Sequence, residues 1–162
     1  MDISSDVLEK ALIRLVDAYE TDLLRLCYVI LSDRHLAQDA VQETFFKAYR
    51  SLHRFRGECG EKTWITRIAV NTCRDIRRQR WFHLRRQSTP YEKLHLPDER
   101  CKQELTDFFI DLMRLPAAYK EVILLRYYQQ LTLEETALAL RVSKRTVSNR
   151  IKKAKALLRT EL

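Results

Sequence analysis

Two glycines are all that this 162-residue chain contains, and they lie three positions apart, at Gly57 and Gly60. Tight hairpins and phosphate-cradling loops rely on glycine to reach positive φ. Three prolines, Pro90, Pro97 and Pro116, add little further turn chemistry. β-Sandwiches, Rossmann folds and P-loop enzymes are therefore close to excluded. Helix remains. Apolar residues recur at intervals of three and four almost throughout, and no stretch sustains period-two alternation. With 46% hydrophobic residues the chain has the material for a packed core.

The spacing predicts a first helix through Val7, Leu8, Ala11, Leu12, Leu15, Val16 and Tyr19, and a second through Leu23, Leu24, Cys27, Ile30 and Leu31. A third carries Val41, Phe45, Ala48, Tyr49 and Leu52, with Asp33 as its N-cap. Phe55–Lys62 holds both glycines and reads as a loop, and a fourth helix runs from Thr63 until the periodicity fades after Arg80. The polar span from Arg85 to Glu99, with Pro90 and Pro97, reads as an interdomain linker. Helical spacing returns at Leu105, Phe108, Phe109, Leu112 and Met113, and Pro116 fits the first turn of the helix after it. The expected fold is all-α: two small helical domains, residues 1–84 and 104–162, joined by a flexible linker over 85–103.

Leu131–Ile151 has a definite shape. Thr132 followed by Glu135 forms a capping box, Ala137 is small where two helices must approach, Val142 fills a turn, and Ser143 caps a second helix. Capped helix, tight turn and capped basic helix is the helix-turn-helix pattern, here without the usual glycine in its turn. From Arg141 to Arg159 there are eight basic residues and no acidic one. Off the apolar stripe lie Lys144, Arg145, Ser148, Asn149, Lys152, Lys153 and Lys155, types that bond phosphates and base edges in a major groove.

The first domain carries two further polar surfaces. Asp39, Gln42 and Glu43 share one face of the third helix, either as a solvated ladder continuing to Lys47 or as a surface aimed at another protein. On the fourth, Arg67, Asn71, Arg74 and Arg78 fall on one face, with Trp64 preceding them and Asp75 and Arg77 alongside. Cations, an amide and an aromatic suit unstacked single-stranded bases. Trp64 suits the core better than a stacking platform, and Asn71 is the better candidate for base contact.

The net charge of +8 is unevenly spread: −2 over residues 1–66, +6 over 67–86, −3 over 87–140 and +7 over 141–162. Two basic islands on separate domains indicate an anionic partner met at two places. The four cysteines, Cys27, Cys59, Cys73 and Cys101, form no close pair, which points to reduced thiols in a cytoplasmic protein rather than disulfides or zinc. His35, His53, His83 and His95 are isolated in polar surroundings. The longest apolar run, Leu26–Leu31, is too short to span a membrane, and the residues around Asp2 and Asp6 do not form a signal peptide. No cofactor or metal site, no small-molecule substrate and no clustered catalytic carboxylates are indicated, so the chain is read as a non-enzyme.

These blocks together resemble a known family. Leu36-Ala-Gln-Asp-Ala-Val-Gln-Glu-Thr-Phe-Phe-Lys-Ala-Tyr-Arg50 is similar to region 2.2 of bacterial sigma factors. Phe55-Arg-Gly and Thr63-Trp-Ile-Thr-Arg-Ile-Ala-Val-Asn-Thr-Cys-Arg-Asp-Ile-Arg-Arg78 resemble regions 2.3 and 2.4, and Leu115-Pro116 through Leu158 resembles region 4. The small size resembles the extracytoplasmic-function group. The resemblance implies a promoter-specificity subunit of RNA polymerase. Asp39, Gln42 and Glu43 would dock on the coiled coil of the β′ subunit. Phe55, Trp64, Arg67, Asn71, Arg74, Asp75, Arg77 and Arg78 would melt and hold the −10 element. Lys144, Arg145, Thr146, Ser148, Asn149, Lys152 and Lys153 would read the −35 element while the same domain touches the β flap. An anti-sigma factor, often membrane-anchored in this family, would be a further partner. The alternative is a helix-turn-helix repressor or activator that works without being a polymerase subunit.

Overall fold

The computed structural model describes residues 3–86 and 107–160, all of whose regular elements are helical. The first domain comprises α1 (Ile3–Leu31), α2 (Arg34–Ser51) and α3 (Glu61–Arg86). The second comprises α4 (Asp107–Arg114), α5 (Ala117–Ile123), which runs on into a π turn (Leu124–Tyr128), then α6 (Leu133–Leu140) and α7 (Lys144–Thr160).

Three expectations need correction. The two N-terminal helices are one, because Glu20, Thr21 and Asp22 contain no breaker and the helical bonds continue through them. α3 starts at Glu61 and continues past Arg80 to Arg86 although its apolar pattern fades, since arginine and glutamine are good helix formers. Pro116 sits one step before α5 as its N-cap (φ −54°, ψ 147°) rather than inside the first turn. The expected linker, 85–103, lies outside the described residues except for Arg85 and Arg86, which close α3.

Local chemistry explains the other boundaries. α1 ends where Ser32 adopts a left-handed φ of 54° and its amide donates to the Tyr28 carbonyl at 2.7 Å. Asp33 is extended (φ −146°, ψ 123°), and its carboxylate accepts from the Leu36 amide at 3.0 Å, the cap expected from the sequence. Ala37, Ala40 and Ala48 are fully buried on the inner side of α2, which packs against both α1 and α3. Around them Leu15, Leu23, Leu26, Val41, Phe45, Ile65, Ala69 and Cys73 build the core of the first domain.

The second core gathers Leu112, Val122, Leu124, Leu125, Leu140, Val147 and Ala154. The two cores are one continuous apolar cluster. α6 packs on α3, while α4 and α5 pack on α1, so the domains are seated against each other.

Candidate nucleic-acid interface

The helix-turn-helix is built as its caps require. Thr132 Oγ1 accepts from the Glu135 amide at 3.1 Å, and Glu135 Oε2 accepts from the Thr132 amide at 2.7 Å. At the end of α6, Arg141 takes the left-handed conformation (φ 55°, ψ 44°) in which glycine is more usual. The Val142 amide then reaches back to the Ala137 carbonyl at 3.1 Å. Ser143 Oγ accepts from the Thr146 amide at 3.1 Å and lies 2.9 Å from the Thr146 hydroxyl. Val147 and Ala154 turn inward. Lys144, Arg145, Asn149, Lys152 and Lys153 are exposed, whereas Thr146 and Ser148 are half-buried. Of the seven side chains expected on duplex DNA, five are therefore exposed and Thr146 is partly spent on the cap. Lys144 holds Glu134 at 3.0 Å, and Lys155 lies over the Tyr127 ring at 5.2 Å from its centroid.

The second surface begins at the glycine loop. Gly57 has φ +72°, so its backbone favours glycine even though a Cβ there would meet no atom within 4 Å. Phe55 stacks on Trp64, with centroids 4.6 Å apart and planes 24° from parallel. Both rings are half-buried, so Trp64 is neither a full core residue nor a bare platform. The start of α3 is pinned to α1: Arg14 donates to both carboxylate oxygens of Glu61, at 2.8 and 2.6 Å, and the Tyr19 hydroxyl adds a third bond at 3.3 Å. The Arg14 guanidinium holds the Glu61 carboxyl below its ordinary range.

Farther along α3 the expected arginine face divides. Arg67 and Asn71 are partly exposed, and Arg67 borders a groove with Ala137, Leu138 and Val142 of the helix-turn-helix. Arg78 is largely exposed and holds Asp75 at 2.5 Å. Arg74 and Arg77 turn to the second domain. Arg74 donates to Glu121 at 2.8 Å and to the Leu140 carbonyl at 3.4 Å, and Arg77 lies 3.6 Å from Glu121.

The third surface is the outer side of α2. Asp39, Gln42 and Glu43 are all exposed there. Lys47 stands 3.9 Å from Glu43, but also 3.8 Å from Asp75 and 3.2 Å from the Thr72 hydroxyl. Among the described residues no ion pair reaches Asp39, so the ladder stops at Glu43. Phe46, one turn from Gln42 and Glu43 and two from Asp39, is 55% exposed, with the Arg50 guanidinium 5.7 Å above its ring.

Sigma-70 region 2 matches residues 15–83, and Sigma-70 region 4 matches residues 112–158. The chain is 30% identical to the ECF RNA polymerase sigma factor SigX of Bacillus subtilis, over 91% of this chain and 85% of that protein. It is 31% identical to SigW of the same organism, over 91% and 87%. This chain belongs to the ECF RNA polymerase sigma factors. Two solved folds are similar to this sigma factor across both domains. CnrH, in complex with the cytosolic domain of CnrY, gives a TM-score of 0.71 at 24% identity, covering 94% of this chain and 87% of that one. RpoE of Bartonella quintana, in complex with the anti-sigma factor NepR, gives 0.74 at 21% identity, covering 94% of each. Among the described residues, no helix of the sigma factor is long and apolar enough to cross a membrane.

The sequence reading of this sigma factor missed residues that the fold brings forward. Phe46 passed as one more apolar residue because its neighbour Phe45 is the buried one. Lys120 and Glu121 of α5 were not singled out, yet both are buried. Lys120 Nζ donates to the Val29 carbonyl of α1 at 3.0 Å and to the Met113 carbonyl at 3.2 Å. Burial first, and the nearby Arg77 charge second, push its ammonium down to about 8, while Glu121 opposes the shift. No local signal identifies these two, since their partners in the first domain lie 44 to 91 positions away in sequence.

Proposed function

We propose that this sigma factor divides promoter recognition between its two domains and has no catalysis of its own. α7 lies in the major groove of the −35 element and reads it with Lys144, Arg145, Ser148, Asn149, Lys152 and Lys153, while Thr146 supports the helix start. The Phe55–Trp64 pair and α3 open the −10 element and hold the unstacked strand, with Asn71 at a flipped base and Arg67, Arg74, Arg77 and Arg78 on phosphates. Asp75 lies beside Arg78 and orients it. Asp39, Gln42 and Glu43 dock on the β′ coiled coil, and the second domain meets the β flap.

The observation that carries this reading is the pairing, on one chain, of a doubly capped helix-turn-helix bearing five exposed polar side chains with a second basic helix that starts beside stacked aromatics. A repressor needs only the first. Opening duplex costs a few kcal/mol per unstacked step, and phosphate and stacking contacts offset it. The protein works in the cytoplasm, where polymerase and promoter are. An anti-sigma factor is a further partner, a reading supported by the structural neighbour solved with the anti-sigma factor NepR.

A run-off assay with core polymerase tests the proposal. The expected result is transcripts only when core and this protein are both present. Tight duplex binding by the protein alone, with no dependent transcript from any genomic promoter, overturns it in favour of a classical regulator.

A further inference from the structure

Glu121 is 2% exposed, yet its charge is shared by two arginines of the other domain. Arg74 reaches it through Nη2 at 2.8 Å and Nε at 3.4 Å, and Arg77 at 3.6 Å. Arg74 also donates to the Leu140 carbonyl at the C-terminal end of α6, where the helix dipole adds negative potential. One residue earlier on α5, Lys120 crosses to α1. Tyr128 adds a bond to Asp22 at 3.3 Å. Within a seam that is otherwise apolar, these charged and polar bonds close around a buried carboxylate.

A guanidinium grips carboxylate and phosphate with the same fork of donors. The two arginines held by Glu121 are half of the phosphate-binding set on α3. They cannot serve both anions at once. We propose that Glu121 is an internal competitor for the opened strand: it latches the second domain onto α3 and masks Arg74 and Arg77 until the domains are drawn apart. A polymerase that seats the domains at separate places supplies the force that opens the latch, so strand binding is withheld from the free protein. The proposal rests on the reading of Arg74 and Arg77 as strand contacts.

The test uses the full chain without polymerase. Small-angle X-ray scattering reports compactness, and anisotropy of a fluorescein-labelled single-stranded DNA oligonucleotide reports strand binding. Glu121→Gln leaves two guanidiniums at the seam without a counter-charge. It is expected to raise the radius of gyration and to tighten oligonucleotide binding at least about tenfold. Glu20→Gln makes the same charge change on the exposed side of α1 and is expected to change neither. The exchange Arg74→Glu with Glu121→Arg is expected to restore compactness while binding the oligonucleotide no tighter than wild type.

An unchanged radius of gyration in a helical Glu121→Gln protein overturns the latch. An expanded protein with unchanged oligonucleotide affinity overturns the competition and the strand-contact reading while leaving the seam contact in place. Should Glu121→Gln lose its helical circular dichroism, the exchange variant decides: compact supports the latch, expanded overturns it.

Discussion

Arg141 closes α6 in a conformation that suits another residue, which makes its replacement by glycine a sharp test of how the helix-turn-helix is held. At φ 55° and ψ 44° a Cβ-bearing residue crowds its own carbonyl, at a cost of about 1–2 kcal/mol. Glycine avoids that cost but gives the unfolded chain more freedom, worth about 0.5–1 kcal/mol in the opposite direction. Arg141 is exposed, and its backbone amide bonds to the Leu138 carbonyl whatever the side chain, so little else is lost. The net expectation for Arg141→Gly is a gain of about 0.5–1 kcal/mol, a rise of roughly 1–4 °C in melting temperature for a chain of this size. Thermal unfolding by circular dichroism of the full chain measures it. Arg141→Ala separates the terms: it removes the same charge but keeps the Cβ, so it should not stabilise. If alanine stabilises as much as glycine, the gain comes from charge and the backbone argument fails.

Three other expectations are open to measurement. Changing Asp39 and Glu43 together to lysine should abolish co-purification with core polymerase while leaving the melting temperature within about 1 °C, because both are exposed; undiminished co-purification would count against the docking face. Asn71→Ala should weaken opening of the −10 element more than holoenzyme assembly, and permanganate footprints matching wild type would contradict its place at a flipped base. Lys120 has a folded-state value of about 8 against an ordinary 10.5, so the cost of burying its charge is fully present below pH 8 and fades as the pH rises toward 10.5. Wild type should therefore gain stability relative to Lys120→Met between pH 7 and pH 10, and a difference that stays flat over that interval would remove the buried-charge account.

What was legible beforehand was local. Asp33, the Thr132–Glu135 box and Ser143 act over three residues, and each cap stands where the sequence placed it. The glycine loop was legible for the same reason, since Gly57 supplies that loop's positive φ. The exposed polar face of α7 followed from its period. Long-range partners were not legible. Nothing near Glu121 marks it as the counter-charge for Arg74, and a periodicity plot cannot tell that Arg74 and Arg77, of the seven arginines on α3, face another domain. The supposed break inside α1 was an error of the opposite kind, in which three polar residues on a solvated flank looked like an interruption.

One run of α1 has a thermodynamic consequence. Leu26–Leu31 is buried at every position, although six successive residues point all round a helix. α2 and α3 line one flank, and α4 and α5 close the other. Separation of the domains wets that second flank, and hydration of apolar surface carries a positive heat-capacity change. The balance between seated and separated domains is therefore curved in temperature, and cooling weakens the apolar part of the closure. The wetted flank is also adhesive toward like molecules, so the separated form is the one whose self-association grows with protein concentration.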